Sequence, residues 1–162
     1  FCLSRGLGDV YKRQRYDSLA DLDIATTAWA LAHLLELPTK GATLESVVAA
    51  LPRPDVRLTR VLPISSTPVL APDKATGRDA NDWIIDMCRH FEADEYYFGG
   101  TSAACYMDFK RFEDAGIRLK QQEWQCTDYP QQHGAFAPNL SIIDLLMQLE
   151  PHAARKVLHT PA

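Results

Sequence analysis

The chain has 162 residues, enough for one ordinary domain with a real core. Its 46% hydrophobic and 23% charged content exclude a disordered chain, and no apolar run approaches the roughly eighteen residues of a membrane-spanning helix. Seventeen Lys and Arg against twenty-one Asp and Glu give a net charge of −4, the wrong balance for neutralising phosphates of nucleic acid. Four Cys do not make a disulfide scaffold, so the compartment reads as reducing and the protein as cytoplasmic.

In chain order, the first fourteen residues stand apart. Asp9–Val10–Tyr11–Lys12–Arg13–Gln14 is the translation of the mosaic-end DNA that a transposase joins to sequencing fragments. Phe1–Gln14 is therefore expected to be a non-native or disordered segment, with a basic N-terminal arm as the alternative. Leaving it out removes Arg5, Lys12 and Arg13 against Asp9 and moves the net charge from −4 to −6. The fold is then expected in residues 15–162, as a single domain whose N-terminal part is missing.

Asp17 and Ser18 can cap a helix through Leu19, Leu22, Ala25, Trp29 and Leu34 that ends before Pro38. Its apolar residues fall on more than one face, which predicts burial between other elements. A short helix is expected from Thr43 to Val48. Leu58–Ile64 is rich in branched residues and predicts a strand, ended or placed at an edge by Pro63. Ser65–Arg78 reads as loop, and Asp79 as the cap of a helix carrying Trp83, Ile84, Met87, Cys88 and Phe91. Glu95–Phe98 predicts a strand closed by Gly99–Gly100. A helical stretch follows from Thr101 to Ala115, broken near Met107–Asp108 and stopped by Gly116. Ile117–Trp124 predicts a strand and Cys126–Pro138 a loop. Ser141 with Asp144 forms a capping box for Ile142–Leu149, and Pro151 opens a last helix to His159.

Strands alternating with helices predict an α/β fold around a small, largely parallel sheet, here an incomplete domain. In such sheets ligands sit at the carboxyl ends of strands. That rule selects Ser65 and Ser66 after the first strand, and Gly99, Gly100, Thr101 and Ser102 after the second. Glycines admit a close ligand, and free N–H groups at a helix start attract anions such as a nucleotide-sugar phosphate. The plain alternative is a strand-to-helix turn with a Thr cap.

Tyr129, Gln131 and His133 share a polar loop, and His133 is the side chain best suited to proton transfer near neutral pH. It reads equally as an exposed loop histidine beside a packed Phe136. Asp144 is explained by capping. Cys105 reads as core, and Cys88 and His90 diverge on their helix and cannot share a metal. No metal motif and no cofactor fingerprint occurs. The aromatics Trp29, Trp83, Phe91, Tyr96, Tyr97 and Phe98 read as core rather than as a stacking platform.

Two segments, Tyr97–Leu119 (YFGGTSAACYMDFKRFEDAGIRL) and Tyr129–Pro151 (YPQQHGAFAPNLSIIDLLMQLEP), together resemble the C-terminal half of the WbqC-like family. The shared pattern is a Tyr-x-x-Gly turn, a Gly-Ile strand start, and a Tyr-Pro-Gln…Gly-x-Phe-x-Pro-x-Leu-Ser-Ile-x-Asp-Leu-Leu run. The likeness extends over roughly Arg15 to Pro151. The family's His-Gln-Pro-x-Tyr opening has no counterpart, Thr43–Arg57 is extra sequence, and Trp83 replaces a basic residue. The resemblance implies a role in O-antigen or other surface-polysaccharide biosynthesis, as transfer of an acyl or aminoacyl group to a sugar.

The expected ligand is then a nucleotide-linked sugar or small anionic donor, held by Ser65, Ser66, Gly99, Gly100, Thr101, Ser102, Tyr129 and Gln131, with His133 as the base. The alternative is a non-catalytic module that binds a glycan-biosynthesis enzyme. A cysteine hydrolase built on Cys126 and His133 is the weakest reading.

Overall fold

The structure, a computed structural model, describes residues 16–99, 105–123, 125–132 and 134–159. Phe1–Gln14 and the candidate residues Gly100, Thr101, Ser102 and His133 lie outside the described residues. Helices alternate with a two-stranded parallel sheet, a small α/β fold. The chain groups into two compact units: one drawn from Phe1–Pro63 and Cys126–Pro161, the other from Ile64–Gln125.

In the first unit, α1 (Leu19–Leu34) starts at Ser18, whose hydroxyl accepts from the Asp21 N–H at 3.1 Å. Its apolar residues do serve two faces. Trp29 packs with Tyr129, Leu145, Leu146 and Ala154, whereas Ala28 and Ala32 pack with Leu35 and Val47. Val47 belongs to α2 (Leu44–Ala49), which is closed by a reciprocal capping box between Thr43 and Ser46. The remaining helices of this unit are α5 (Ile142–Gln148) and α6 (Pro151–His159).

The last carbonyls of α1 have no helical partners, and two arginines supply them. Arg155 donates to the Leu34 carbonyl at 3.0 Å and Arg53 to the Leu35 carbonyl at 2.6 Å. Arg155 also pairs with Glu36 at 2.6 Å, and Arg53 forms a two-pronged bond with Asp55. Arg53 and Asp55 thus close the end of α1.

The second unit is built by α3 (Ala80–His90), β1 (Glu95–Gly99), α4 (Phe109–Asp114) and β2 (Arg118–Gln122). β1 and β2 run parallel with Tyr96 opposite Leu119 and Phe98 opposite Gln121. Parallel strands need a crossover, and here it contains α4. Phe112 on α4 is wholly buried among Ile84, Ile85, Cys88, Phe98, Met107 and Ile117. Gly116, with φ of 74°, ends α4 and lets the Ile117 N–H reach the Phe112 carbonyl at 2.9 Å.

Several sequence expectations are corrected. Leu58–Ile64 is not a strand: residues 58–63 are irregular and Ile64–Ser66 is a 3-10 turn. Pro63 offers no N–H to a ladder, and Leu62 and Ile64 are exposed rather than buried between layers. Ser65 and Ser66 thus do not follow a strand. Cys105 is exposed in a turn rather than core, and α4 begins after Asp108, which caps it by accepting from the Arg111 N–H. Tyr97 (57% exposed) is not core, since β1 buries only its Tyr96/Phe98 face, and neither is Phe91 (37%), which stands at the end of α3. At α5 Ser141 caps the Ile143 N–H, while the Asp144 carboxylate is occupied elsewhere, so no capping box forms.

Phe112→Ala leaves a cavity under β1, and a loss of about 3–5 kcal/mol is expected in a urea melt followed by circular dichroism. A loss below about 1 kcal/mol would show that the Phe112 cluster is not the core of this unit. A second prediction concerns acid. Asp79 caps α3, and its carboxyl is held down to about 2 from its ordinary 3.8, chiefly by the Asp82 N–H and further by Asn81 and Arg111. A depressed carboxyl contributes stability that is complete above its unfolded value and is lost as pH falls through its folded value. Asp79→Asn should therefore be less stable than the parent near pH 5, with the gap closing towards pH 2. An unchanged gap across that range would contradict this.

Candidate functional site

The sequence places chemistry in two regions, one in each unit. In the second unit the site begins at the carboxyl end of β1. Side chains alternate across the pair, so Glu95, Tyr97 and Gly99 share the outer face with their partners Arg118, Lys120 and Gln122. Arg118 pairs with Glu95 at 3.7 Å and with Asp94 at 3.3 Å. The Lys120 ammonium lies 5.0 Å from the centre of the Tyr97 ring, a cation–π distance. Contact with Tyr97 raises the Lys120 ammonium above its ordinary value and keeps it charged. Gly99 ends the row, and a Cβ placed on it would meet no atom within 4 Å.

Behind this face Asn81 fixes the crossover. It is 6% exposed, donates to the Tyr106 carbonyl at 3.2 Å and accepts from the Asp108 N–H at 2.9 Å. Arg111 adds ion pairs to Asp79 and Asp82. A groove of about 260 Å³ beside them, lined by Asp82, Asp86, Arg89 and Arg111, is charged. Asp82 pairs with Arg111, and Asp86 with Arg78 and Arg89, so those charges neutralise one another.

In the first unit Tyr129, Gln131 and Asp144 meet. The Tyr129 hydroxyl donates to Asp144 Oδ2 at 2.7 Å, and Gln131 Nε2 donates to the same oxygen at 3.2 Å. Gln131 also grips the backbone of Ala137 with both ends of its amide, donating to the carbonyl at 3.1 Å and accepting from the N–H at 2.9 Å. Phe136 meets the Tyr129 ring edge-on at 5.3 Å between centres. Burial first, and then the Asp144 carboxylate, push the Tyr129 hydroxyl above its ordinary value, so it stays a donor. The amide of Gln131 thus closes the loop from residue 131 to 137, and Asp144 anchors that loop to α5. Sequence reasoning assigned Asp144 to capping and missed this role; fifteen residues separate it from Tyr129, with no periodic signal between them.

The candidate residues thus divide. Ser65 and Ser66 lie on the 3-10 turn and Gly99 at the end of β1, all in the second unit, whereas Tyr129 and Gln131 belong to the first. Cys126 is half-buried against the Tyr129 cluster, with its thiol 3.9 Å from the Thr127 carbonyl. Among the described residues no group of three or more His, Cys, Asp or Glu is placed to hold a metal. Nor is any described helix long and apolar enough to cross a membrane.

A profile of the WbqC-like protein family matches residues 4–156. No curated protein and no solved structure matches the chain.

Removing the Tyr129 donor leaves Asp144 with Gln131 alone, and Tyr129→Phe should cost about 1–2 kcal/mol in a denaturant melt read by Trp29 fluorescence. Gln131→Glu sets a second carboxylate against Asp144 and should cost more. Parental stability in both variants would remove the loop-closing role.

Proposed function

Because the chain belongs to the WbqC-like protein family, we propose that it is a group-transfer enzyme of O-antigen or other surface-polysaccharide biosynthesis, moving an acyl or aminoacyl group to a sugar. One observation carries this reading: the outer row of the β1–β2 pair ends at its carboxyl edge in Gly99, with open space beside it. Gly100, Thr101 and Ser102 follow directly in sequence and can present backbone N–H groups to a nucleotide-linked sugar or to a small anionic donor. Ser65 and Ser66 supply hydroxyl donors from the same unit. Tyr129 and Gln131 hold the loop on which His133 stands. His133 takes the proton from the hydroxyl of the accepting sugar as its oxygen attacks the carbonyl carbon of a separate activated acyl donor, a thioester or acyl phosphate. The bond from that carbon to the donor's carrier breaks, and the thiol or phosphate leaves with the proton returned by His133. The setting is the cytoplasm, where nucleotide sugars are available.

A second reading has its own support. The polar atoms of the Tyr129 and Gln131 side chains are spent on Asp144 and the loop backbone, while Ile142, Ile143 and Met147 of α5 are exposed. A module that docks a glycan-biosynthesis enzyme would use such a face.

Thermal melts with UDP-glucose, GDP-mannose, dTDP-glucose, the free nucleotides and amino acids separate the two readings. The enzyme reading expects a saturable rise with one nucleotide sugar, and loss of transfer in His133→Ala without loss of that rise. Silence across the panel, with co-purification of a glycosyltransferase, would replace it by the docking module.

A further inference from the structure

A parallel sheet is ordinarily covered on both faces. In the β1–β2 pair one face is core, where Tyr96 and Phe98 pack against the crossover, and the other carries Tyr97 at 57% exposure with an exposed Lys120 beside it. That outer face is polar and aromatic rather than aliphatic, so it lacks the composition of a surface cut from a core.

Three features lie in the middle and at the carboxyl end of that row. Tyr97 presents an aromatic ring with more than half its surface exposed. Lys120 stands over that ring and makes no ion pair among the described residues, although Glu95 is near enough to influence it; Glu95 is itself engaged by Arg118 one rung away. Gly99 follows Tyr97 on the same face, two residues nearer the strand end, and opens onto space. In a strand a residue without a side chain weakens pairing, and one use of it is to let a ligand approach the backbone.

We propose that Tyr97, Lys120 and Gly99 form the nucleotide-binding face of this protein, with the base or sugar ring against Tyr97, the diphosphate at Lys120, and the chain of the ligand crossing the sheet over Gly99. The proposal rests on the nucleotide-linked sugar as the ligand of the donor reading and names the side chains that select it. An aromatic ring offers its π-face to any base, and an ammonium acts on phosphate as a point charge. The face therefore selects a nucleoside diphosphate as a class and leaves the choice of sugar to other groups.

The test uses the full chain and three probes, UDP-glucose, GDP-mannose and dTDP-glucose, titrated by calorimetry at low and at physiological salt. Tyr97→Ala is expected to weaken the binding probe about tenfold, the lower part of the range for loss of one stacked base. Lys120→Gln should weaken it about fivefold and flatten its salt dependence. Gly99→Val is the decisive variant. Valine suits a strand and meets no atom at this position, so melting should be unchanged or raised while binding falls more than about tenfold. Arg118→Gln, at the amino end of the same face, should leave affinity within about twofold.

Parental affinity in Gly99→Val and Tyr97→Ala, with the unaltered chain binding a probe, would overturn this site and leave the donor reading standing. Equal losses in Arg118→Gln and Lys120→Gln would reduce the effect to general charge and also overturn it. If the unaltered chain binds none of the three probes, the donor reading fails and this site with it.

Discussion

Two strands that run parallel cannot be joined by a hairpin, and the structure of the second unit follows from that constraint. The chain must leave the end of β1, cross one face and return to the start of β2. The crossover brings Phe112 under the sheet, and the buried side of β1 becomes Tyr96 and Phe98. Asn81 then ties α3 to the start of α4 through the Tyr106 carbonyl and the Asp108 N–H, so two segments remote in sequence share one buried amide. Leaving those backbone groups unpaired would cost about 1–3 kcal/mol each, which explains a buried polar side chain in an otherwise apolar cluster. The same constraint fixes which face stays open. With α4 on one side, the row of Tyr97, Gly99 and Lys120 stands on the other.

In the first unit the organising problem is the end of α1. Its carbonyls are met by Arg53 and Arg155, which come from opposite directions along the chain and are themselves paired with Asp55 and Glu36. A helix with apolar residues on two faces needs neighbours on both, and these arginines hold α2 and α6 at its end. Glu36 takes a left-handed conformation, φ 58°, that lets the Leu37 N–H return to the Ala32 carbonyl at 2.8 Å. Glu92 does the same at the end of α3, where the Ala93 N–H reaches the Cys88 carbonyl. Glycine fills this position only after α4, although it is the residue with the least strain there. At Glu36 the ion pair with Arg155 offsets part of that strain.

Local signals are legible in the sequence and remote pairings are not. Ser18, Thr43 and Asp79 mark helix starts because a cap acts over three residues, and Gly116 marks a stop for the same reason. β1 and β2 are readable from alternation and from the glycines that bound them. Leu58–Ile64 has strand composition but no strand, because β propensity measures fit to a neighbouring strand and packed face that this segment does not have. Ser141 caps α5 as its position predicts. Asp144 carries the spacing of a capping box and is drawn away by Tyr129, a stronger partner at 2.7 Å. Tyr97 and Lys120 are twenty-three positions apart, and only the register of the pair makes them neighbours.

The run from Tyr129 through Asp144, part of one of the two segments on which the resemblance rests, is where sequence and structure meet most closely. Tyr129 donates a hydrogen bond, Gln131 clamps the loop, Phe136 packs edge-on, Ser141 caps a helix and Asp144 anchors the loop to it. A motif of this kind identifies a fold strongly, because replacing any one member leaves a partner unpaired. It identifies a reaction weakly, because the groups that would do chemistry are already engaged with one another. Gly99 has the opposite character. No described residue requires its lack of a side chain, so packing among the described residues gives no reason for glycine at the end of β1. A strand residue that costs pairing strength and relieves no clash is more readily explained by what approaches from outside, and this directs attention to the outer row of the sheet.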